Sequence, residues 1–343
     1  MRERLRNSFD RFLDVRGQSD FEIATLLRQM ETDIVIDLKG YTEDSRPGIL
    51  AHRPAPVQAQ YLGYPGSMGS DHVDYIVADK IVAPEHQSIY FDEKIAYLPD
   101  SYQCNDSKRR VADATPTRVS VGLPEAGFVF CSFNNSYKIM PDIFAAWMRL
   151  LRKNEKAVLW LLQHDATAVE NLRREAEAAG IDSGRLIFAP FMPNEEHLAR
   201  MRLADLFLDT LPYNAHTTAS DALWVGLPVL TIRGKTFAGR VCASLLHAAD
   251  LPEMVTDCLE AYETLASRLA SDAEALAAIK SKLARNRGRM PLFDTARFTR
   301  HLETLYVQMW RRAERGDQPA AMDCAGSEEH TSELQSLAYL VCR

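Results

Sequence analysis

The stretch ADLFLDTLPYNAHTTASDALWVGLPVLT, residues 204–231, decides the fold. An apolar run, ADLFLDT with LFL at its centre, ends in a loop bearing Pro212 and Asn214. A helix-period segment, TTASDALWVG, follows and stops at Gly226, and a second apolar run begins directly. A strand that is apolar at every position is buried on both faces, so helices must cover both sides of its sheet. Strand, helix and strand in such close succession form a βαβ unit, the building block of a parallel sheet.

The same alternation extends outward in both directions. The runs FVFCSF (128–133), AVLWLLQ (157–163), RLIFAPF (185–191) and PVLTIRG (228–234) alternate with MPDIFAAWMRLLRK, DATAVENLRREAEAAG, NEEHLARMRLA and KTFAGRVCASLLHAA. Gly180 and Gly226 stand where helices end. This half is predicted to be a doubly wound α/β domain.

The part before about Arg118 is less regular. SDFEIATLLRQM reads as a helix capped by Ser19, leading into the strand IVIDLKG. HRPAPVQAQYLGYPGSMG is punctuated by Pro and Gly, and DYIVADKIV and KIAYLP are short apolar runs. These features suggest part of a second α/β domain with long loops. SKRRVADATPTR (107–118) is polar and aperiodic, which suits an interdomain linker. At the other end Phe298, Leu302, Leu305 and Met309 recur at helical spacing, predicting one long helix with a packed face. The expected division is 1–118 for a partial first lobe and linker, 119–325 for the second lobe and its terminal helix, and 326–343 as a tail.

Composition bounds the function. The chain has 343 residues, 46% hydrophobic and 25% charged, with a net charge of -7. That balance is globular and argues against nucleic acid or an acidic membrane as a partner. No apolar run reaches the length of a membrane span. Six cysteines without a CxxC pair argue against structural zinc and a disulfide framework, and suit a reducing cytoplasm.

Ligands of doubly wound sheets bind outside the carboxyl ends of the strands. The loop LPYNAHTT lies at such an end. Thr218 with Asp221 three residues on fits a capping box, and a helix start offers free N–H groups and partial positive charge to a phosphate. Thr217 and Thr218 would add hydroxyl donors, and His216 and Asp221 could reach a sugar hydroxyl or a second phosphate. A capped helix with a structural histidine accounts for this loop equally well. Two further strand ends tip the balance toward a nucleotide: Asn135, Tyr137 and Lys138 after FVFCSF, and His197 with Arg200 after RLIFAPF. LGYPGSMG (62–69) is glycine-rich without being a Walker or Rossmann fingerprint, which disfavours ATPase and dehydrogenase readings.

Taken together, CSFNNSYKI, FAPFMPNEEHLAR, LDTLPYNAHTTASDALWVGLPVLT, GKTFAGRVCASLL, RPAPVQAQYLGYPGSMG with DYIVADKIVAP, and PLFDT resemble the catalytic region of the O-linked N-acetylglucosamine transferase and SPINDLY family. The motifs run in order from about Ser19 to about Asp317. The resemblance implies a two-lobed GT-B type glycosyltransferase, inverting, metal-independent and without cofactor. It would transfer N-acetylglucosamine from UDP-GlcNAc to Ser or Thr hydroxyls of an acceptor protein, with a terminal helix crossing back to the first lobe. It further implies His197 and Arg200 at the uracil, His216 and Asp221 at the ribose and phosphates, and Thr217 and Thr218 at the diphosphate. Lys138 would neutralise the leaving phosphate and Tyr137 would lie near the anomeric carbon. Leu62, Gly63, Pro65 and Tyr213 would line the sugar pocket.

Departures accompany the resemblance. Asn135 stands where the animal enzymes have Gln, Asn194 where they have a base-contacting Lys, and Tyr213 where they have Cys. A protein O-fucosyltransferase using GDP-fucose is the alternative donor class, and a nucleotide-sugar-binding fragment without turnover is the alternative outside enzymes. The family's first lobe begins upstream of Met1, so poor transfer by this chain is expected. SEEHTSELQS (327–336) reads like translated adapter sequence, and everything beyond about Ala325 is expected to be a non-native tail.

Overall fold

The computed structural model describes residues 2–324 and 339–341. The chain divides into two compact units. The first comprises residues 1–78, 85–99 and 300–343, and the second comprises 79–84 and 100–299.

The first unit carries strands β1 (Ile34–Asp37), β2 (Val57–Gln60), β3 (Tyr75–Asp79) and β4 (Lys94–Leu98) with helices α1 (Arg2–Arg6), α2 (Asp20–Gln29) and α3 (Gly48–Ala51). Helix α2 begins as its sequence predicts. Ser19 accepts from the Glu22 backbone, and the Glu22 carboxylate accepts from the Ser19 backbone at 2.7 Å. The second strand, VQAQ, was hidden inside a Pro-punctuated stretch whose two glutamines mask its period. Both are buried, and the Gln58 amide donates to the carbonyls of Leu50 and His72.

The second unit carries β5 (Val129–Ser132), β6 (Val158–Leu162), β7 (Leu186–Ala189), β8 (Leu206–Leu208), β9 (Val229–Ile232) and β10 (Val255–Thr256). Its helices are α4 (Pro141–Lys153), α5 (Ala166–Ala178), α6 (Asn194–Met201), α7 (Thr217–Trp224), α8 (Val241–Ala248), α9 (Leu259–Ser271) and α10 (Ala273–Asn286). Helix α11 (Thr295–Glu314) begins in this unit and ends in the first. The expected one-sided packing of α11 holds, with Leu305 and Met309 buried. Strands β11 (Met322–Asp323) and β12 (Tyr339–Val341) join the first unit's sheet, which runs β11-β4-β3-β2-β1-β12.

Three features of the structure were not expected from the sequence. Residues 107–118 are no free linker: the unit boundary falls at Pro99, and the Ala112 amide donates to the Glu195 carbonyl within the second unit. The tail contributes a strand, since β12 pairs in parallel with β1 from Val35 opposite Tyr339 to Asp37 opposite Val341. The β-branched strand β1 leaves an edge open to any extended segment, and residues 339–341 pair with it. SEEHTSELQS lies outside the described residues. Finally, the segment KTFAGRVCASLLHAA becomes helical only at Val241. A Cβ on Gly234 would come within 2.8 Å of the Gly239 carbonyl, so this pair holds a tight loop instead.

The second sheet runs β10-β9-β8-β5-β6-β7. Its pairings are parallel, and Cys131, Leu159, Trp160, Phe207 and Val229 are essentially without exposure. The order steps to one side of β5 for β6 and β7 and to the other for β8, β9 and β10. The loops after β5 and β8 therefore part in opposite directions, leaving a crevice at the carboxyl edge.

Candidate functional site

The crevice is built from the loop after β5, the loop after β8 and the start of α7. Asn134, 3% exposed, ties them together. Its amide donates to Thr210 Oγ1 at 2.8 Å, and its carbonyl oxygen accepts from Thr218 Oγ1 at 2.7 Å. Thr210 in turn donates to the Tyr213 carbonyl. Beneath them Asp209 is fully buried. Its Oδ1 accepts from the amides of Thr210 (2.7 Å) and Ala215 (2.6 Å), and its Oδ2 accepts from Thr231 Oγ1 (2.6 Å). Burial pushes this carboxyl up to about 6 against those stabilising donors.

Lys138 reaches across from the β5 loop. Its Nζ donates to the Asn214 carbonyl at 2.9 Å and stands 3.9 Å from the Tyr213 ring centre. The Tyr213 ring stacks on His216 at 4.8 Å. Burial lowers the Lys138 ammonium to about 8, while Asp209 works the other way. His216 is lowered to about 3, first by burial and then by Lys138. It is therefore a neutral ring, with Nε2 3.2 Å from the Ala238 carbonyl.

The capping box does not form. Helix α7 starts at Thr217 with His216 as its N-cap and no side-chain cap bond. Thr218 spends its proton on Asn134, so the Thr217 hydroxyl and the backbone remain as donors at the helix start. The N–H groups of Thr217, Thr218 and Ala219 have no acceptor within the helix by geometry. Asp221, expected to reach a sugar hydroxyl, has one carboxylate oxygen engaged within the protein. It is ion-paired with Arg109, whose guanidinium also donates to Asn105 and Ser220. The Trp224 indole donates to the Arg109 carbonyl, and Arg287 covers its ring at 4.9 Å. Burial raises the Asp221 carboxyl, and Arg109 opposes that.

His197 and Arg200 lie on α6 against Phe133 from the loop after β5, and Arg200 also reaches the Pro190 carbonyl just after β7. Arg200 is buried, at 1% exposed. Tyr137 is exposed on the turn after β5, and Asn135 caps that turn without a side-chain bond. The residues matched to a sugar pocket divide between the units. Tyr213 is in the second, while Leu62, Gly63 and Pro65 follow β2 in the first. There a Cβ on Gly63 would collide with the Leu38 carbonyl, and Leu62 is held at φ 72. A left-handed leucine costs on the order of 1 kcal/mol, so this turn is imposed by packing. Arg109, Asn134 and Asp209 escaped the sequence reading. An aspartate closing an apolar strand was the one visible sign among them.

The two histidines give the chain a pH dependence. Each has an ordinary pKa near ~6.5 when unfolded and a depressed one when folded, about 4 for His197 and about 3 for His216. Their contribution is present above ~6.5 and is lost as pH falls toward 4, because the unfolded chain binds the protons. Asp209, with its raised value, acts in the opposite sense between ~4 and ~6 and offsets part of this loss. Melting temperature is expected to fall from pH 6.5 to 4.5, with a shallower slope for His216→Gln. Parallel slopes for the two proteins would remove His216 from this account.

Comparison with known proteins adds independent findings. The model of glycosyl transferase family 41 matches residues 1–115 and 111–302. A probable UDP-N-acetylglucosamine–peptide N-acetylglucosaminyltransferase of Arabidopsis thaliana, SEC, is 38% identical over 324 residues, 93% of this chain and 33% of that protein. A SPINDLY relative from Petunia hybrida is 32% identical over 333 residues, 96% of this chain and 35% of that one. The chain thus spans about a third of the length of these curated relatives. Among solved structures, a mutant O-GlcNAc transferase of Thermobaculum terrenum superposes with a TM-score of 0.84 at 33% identity, covering 92% of this chain and 60% of that one. Anabaena HepE, crystallised with UDP and glucose, shares the fold at a TM-score of 0.58 and 13% identity, covering 86% and 84%. By the extent of the family match, this chain is a member of glycosyl transferase family 41.

Proposed function

We propose that the chain is the sugar-transferring region of a protein O-GlcNAc transferase of GT-B type. It would take UDP-GlcNAc as donor and Ser or Thr hydroxyls of proteins as acceptors, with inversion and without a metal. The observation that carries this reading is the crevice between β5 and β8. Lys138 stands there with the open start of α7, so cation and helix N-terminus converge where a diphosphate would lie. As the acceptor oxygen bonds to the anomeric carbon, its O–H bond gives up the proton to water, the bond to the phosphate oxygen breaks and negative charge grows on UDP. Lys138 and the N–H groups of α7 are placed to offset that charge, the task a metal performs in other transferases. The names of the relatives support UDP-GlcNAc as donor, and His197 at the edge of the crevice suits the uracil.

Competition between UDP-GlcNAc and GDP-fucose for the purified chain tests the reading. UDP-GlcNAc is expected to bind tighter by about ten- to a hundredfold, the value of one to two base hydrogen bonds left unmade by the wrong base. Tighter GDP-fucose binding would assign the chain to the fucosyltransferase alternative, and binding of neither would overturn the nucleotide site.

A further inference from the structure

His197 and Arg200 stand three residues apart on α6, on one face of the helix. Their arrangement is directional. Arg200 Nε donates to His197 Nδ1 at 3.0 Å, and another of its nitrogens donates to the Pro190 carbonyl at 2.7 Å. The guanidinium lies against Phe133 and Trp160, 5.8 and 6.0 Å from the ring centres. Phe133 also meets the His197 ring edge-to-face at 5.1 Å. The arginine is thus enclosed at 1% exposed, with Nη2 buried and without a hydrogen-bond partner among the described residues.

A guanidinium carries donors only, and it stays charged at any physiological pH. Its N–H can pair with Nδ1 only if that nitrogen holds a lone pair. In a neutral imidazole the single proton must then sit on Nε2. Protonating Nδ1 would set two donors against each other beside a buried cation, so the charged ring is disfavoured as well. The groups facing His197 are Arg200 from its own helix and the uncharged Phe133 from the loop after β5. Burial is the first cause that lowers the His197 pKa, and Arg200 is the charge that adds to it. Nε2 has no hydrogen-bond partner among the described residues.

We infer that Arg200 is a positioning residue that fixes His197 as the Nε2–H tautomer, making the free edge of the ring a hydrogen-bond donor to an acceptor atom of the bound base. The tautomer follows from the protein alone, and the base as its recipient rests on the function proposed above. This differs from a direct contact of Arg200 with the base, because the arginine acts through the histidine.

Nitrogen NMR of the protein labelled with ¹⁵N-histidine, recorded without nucleotide from pH 5 to 8, reads the tautomer directly. The wild type is expected to show His197 protonated on Nε2 throughout, without titrating in that range. In Arg200→Met the ring is expected to titrate at a higher pH, moving toward the ordinary ~6.5. A wild-type ring protonated on Nδ1, or an unchanged titration in the variant, would overturn the inference. Should Arg200→Met fail to fold, the wild-type spectrum still decides.

Calorimetric titration of two further variants with UDP tests the donor. The amide of His197→Gln can occupy the place of Nε2, whereas that of His197→Asn falls near Nδ1, against the arginine. Gln is expected to bind UDP roughly two- to tenfold tighter than Asn, the range of one neutral hydrogen bond. Equal affinities would overturn the donor role. Wild-type protein that does not bind UDP would count against the proposed function instead, leaving the spectra to decide the tautomer.

Discussion

Lys138→Ala is expected to bind UDP about ten- to a hundredfold more weakly than the wild type. A charge-assisted bond to phosphate contributes roughly 1.5–3 kcal/mol, and the ammonium has no mobile reach to give up. It is already held at 2.9 Å from the Asn214 carbonyl and over the Tyr213 ring. Its position costs little further ordering on binding, so most of the interaction should appear as affinity. Sugar transfer should suffer more than binding, by roughly 10²–10³, because the charge on the leaving phosphate is largest in the transition state. The pH dependence has a definite sign. With the ammonium lowered to about 8, the lysine is mostly charged at neutrality and loses its charge as pH rises past that value. Affinity for UDP should therefore decline above pH 8. Calorimetry of the two proteins decides the matter, and equal affinities would remove Lys138 from the site.

Asp209→Ala is expected to destabilise the chain by about 3–5 kcal/mol, the cost of breaking a fully buried, multiply bonded charge. Three donors lose their acceptor: the amides of Thr210 and Ala215 and the Thr231 hydroxyl. All three residues are buried, so water cannot readily replace the carboxylate. The loop from Thr210 to Ala215 carries the Asn214 carbonyl that holds Lys138, and its first and last amides are anchored on one oxygen of Asp209. Asp209→Asn keeps that oxygen and should be much milder in stability. It removes the negative charge that supports the Lys138 ammonium, so the lysine should titrate lower still. Denaturant unfolding of both variants, with UDP titrations of the Asn form, checks this. A loss below about 1 kcal/mol for Asp209→Ala would show that the loop is held by other means.

Strands β5 to β9 of the second unit were legible because each is mostly apolar, as burial on both faces requires, whereas the two-residue β10 left no such run. Strand β2 was not, since its buried glutamines imitate a surface segment until their partners on Leu50 and His72 are known. The site was legible in part. Lys138, Thr217, His197 and His216 stand at strand ends, where position in the sheet alone places them at the binding edge. Arg109 was read as linker because a polar, aperiodic segment carries no mark of what it packs against. The loss of the capping box has the same origin, as Asn134 and Arg109 each outcompete a local bond.

The sequence by itself determined the class of each unit, the parallel character of the second sheet and the edge proposed for a ligand. These depend on period and chain order, which are local. The tertiary structure alone decided which polar groups remain free for a ligand. Asp221 pairs with a residue 112 positions away and Thr218 with one 84 away. Arg200 is enclosed by aromatic rings from β6 and the loop after β5. Each side chain has several possible partners at similar energy, and only the folded geometry selects one.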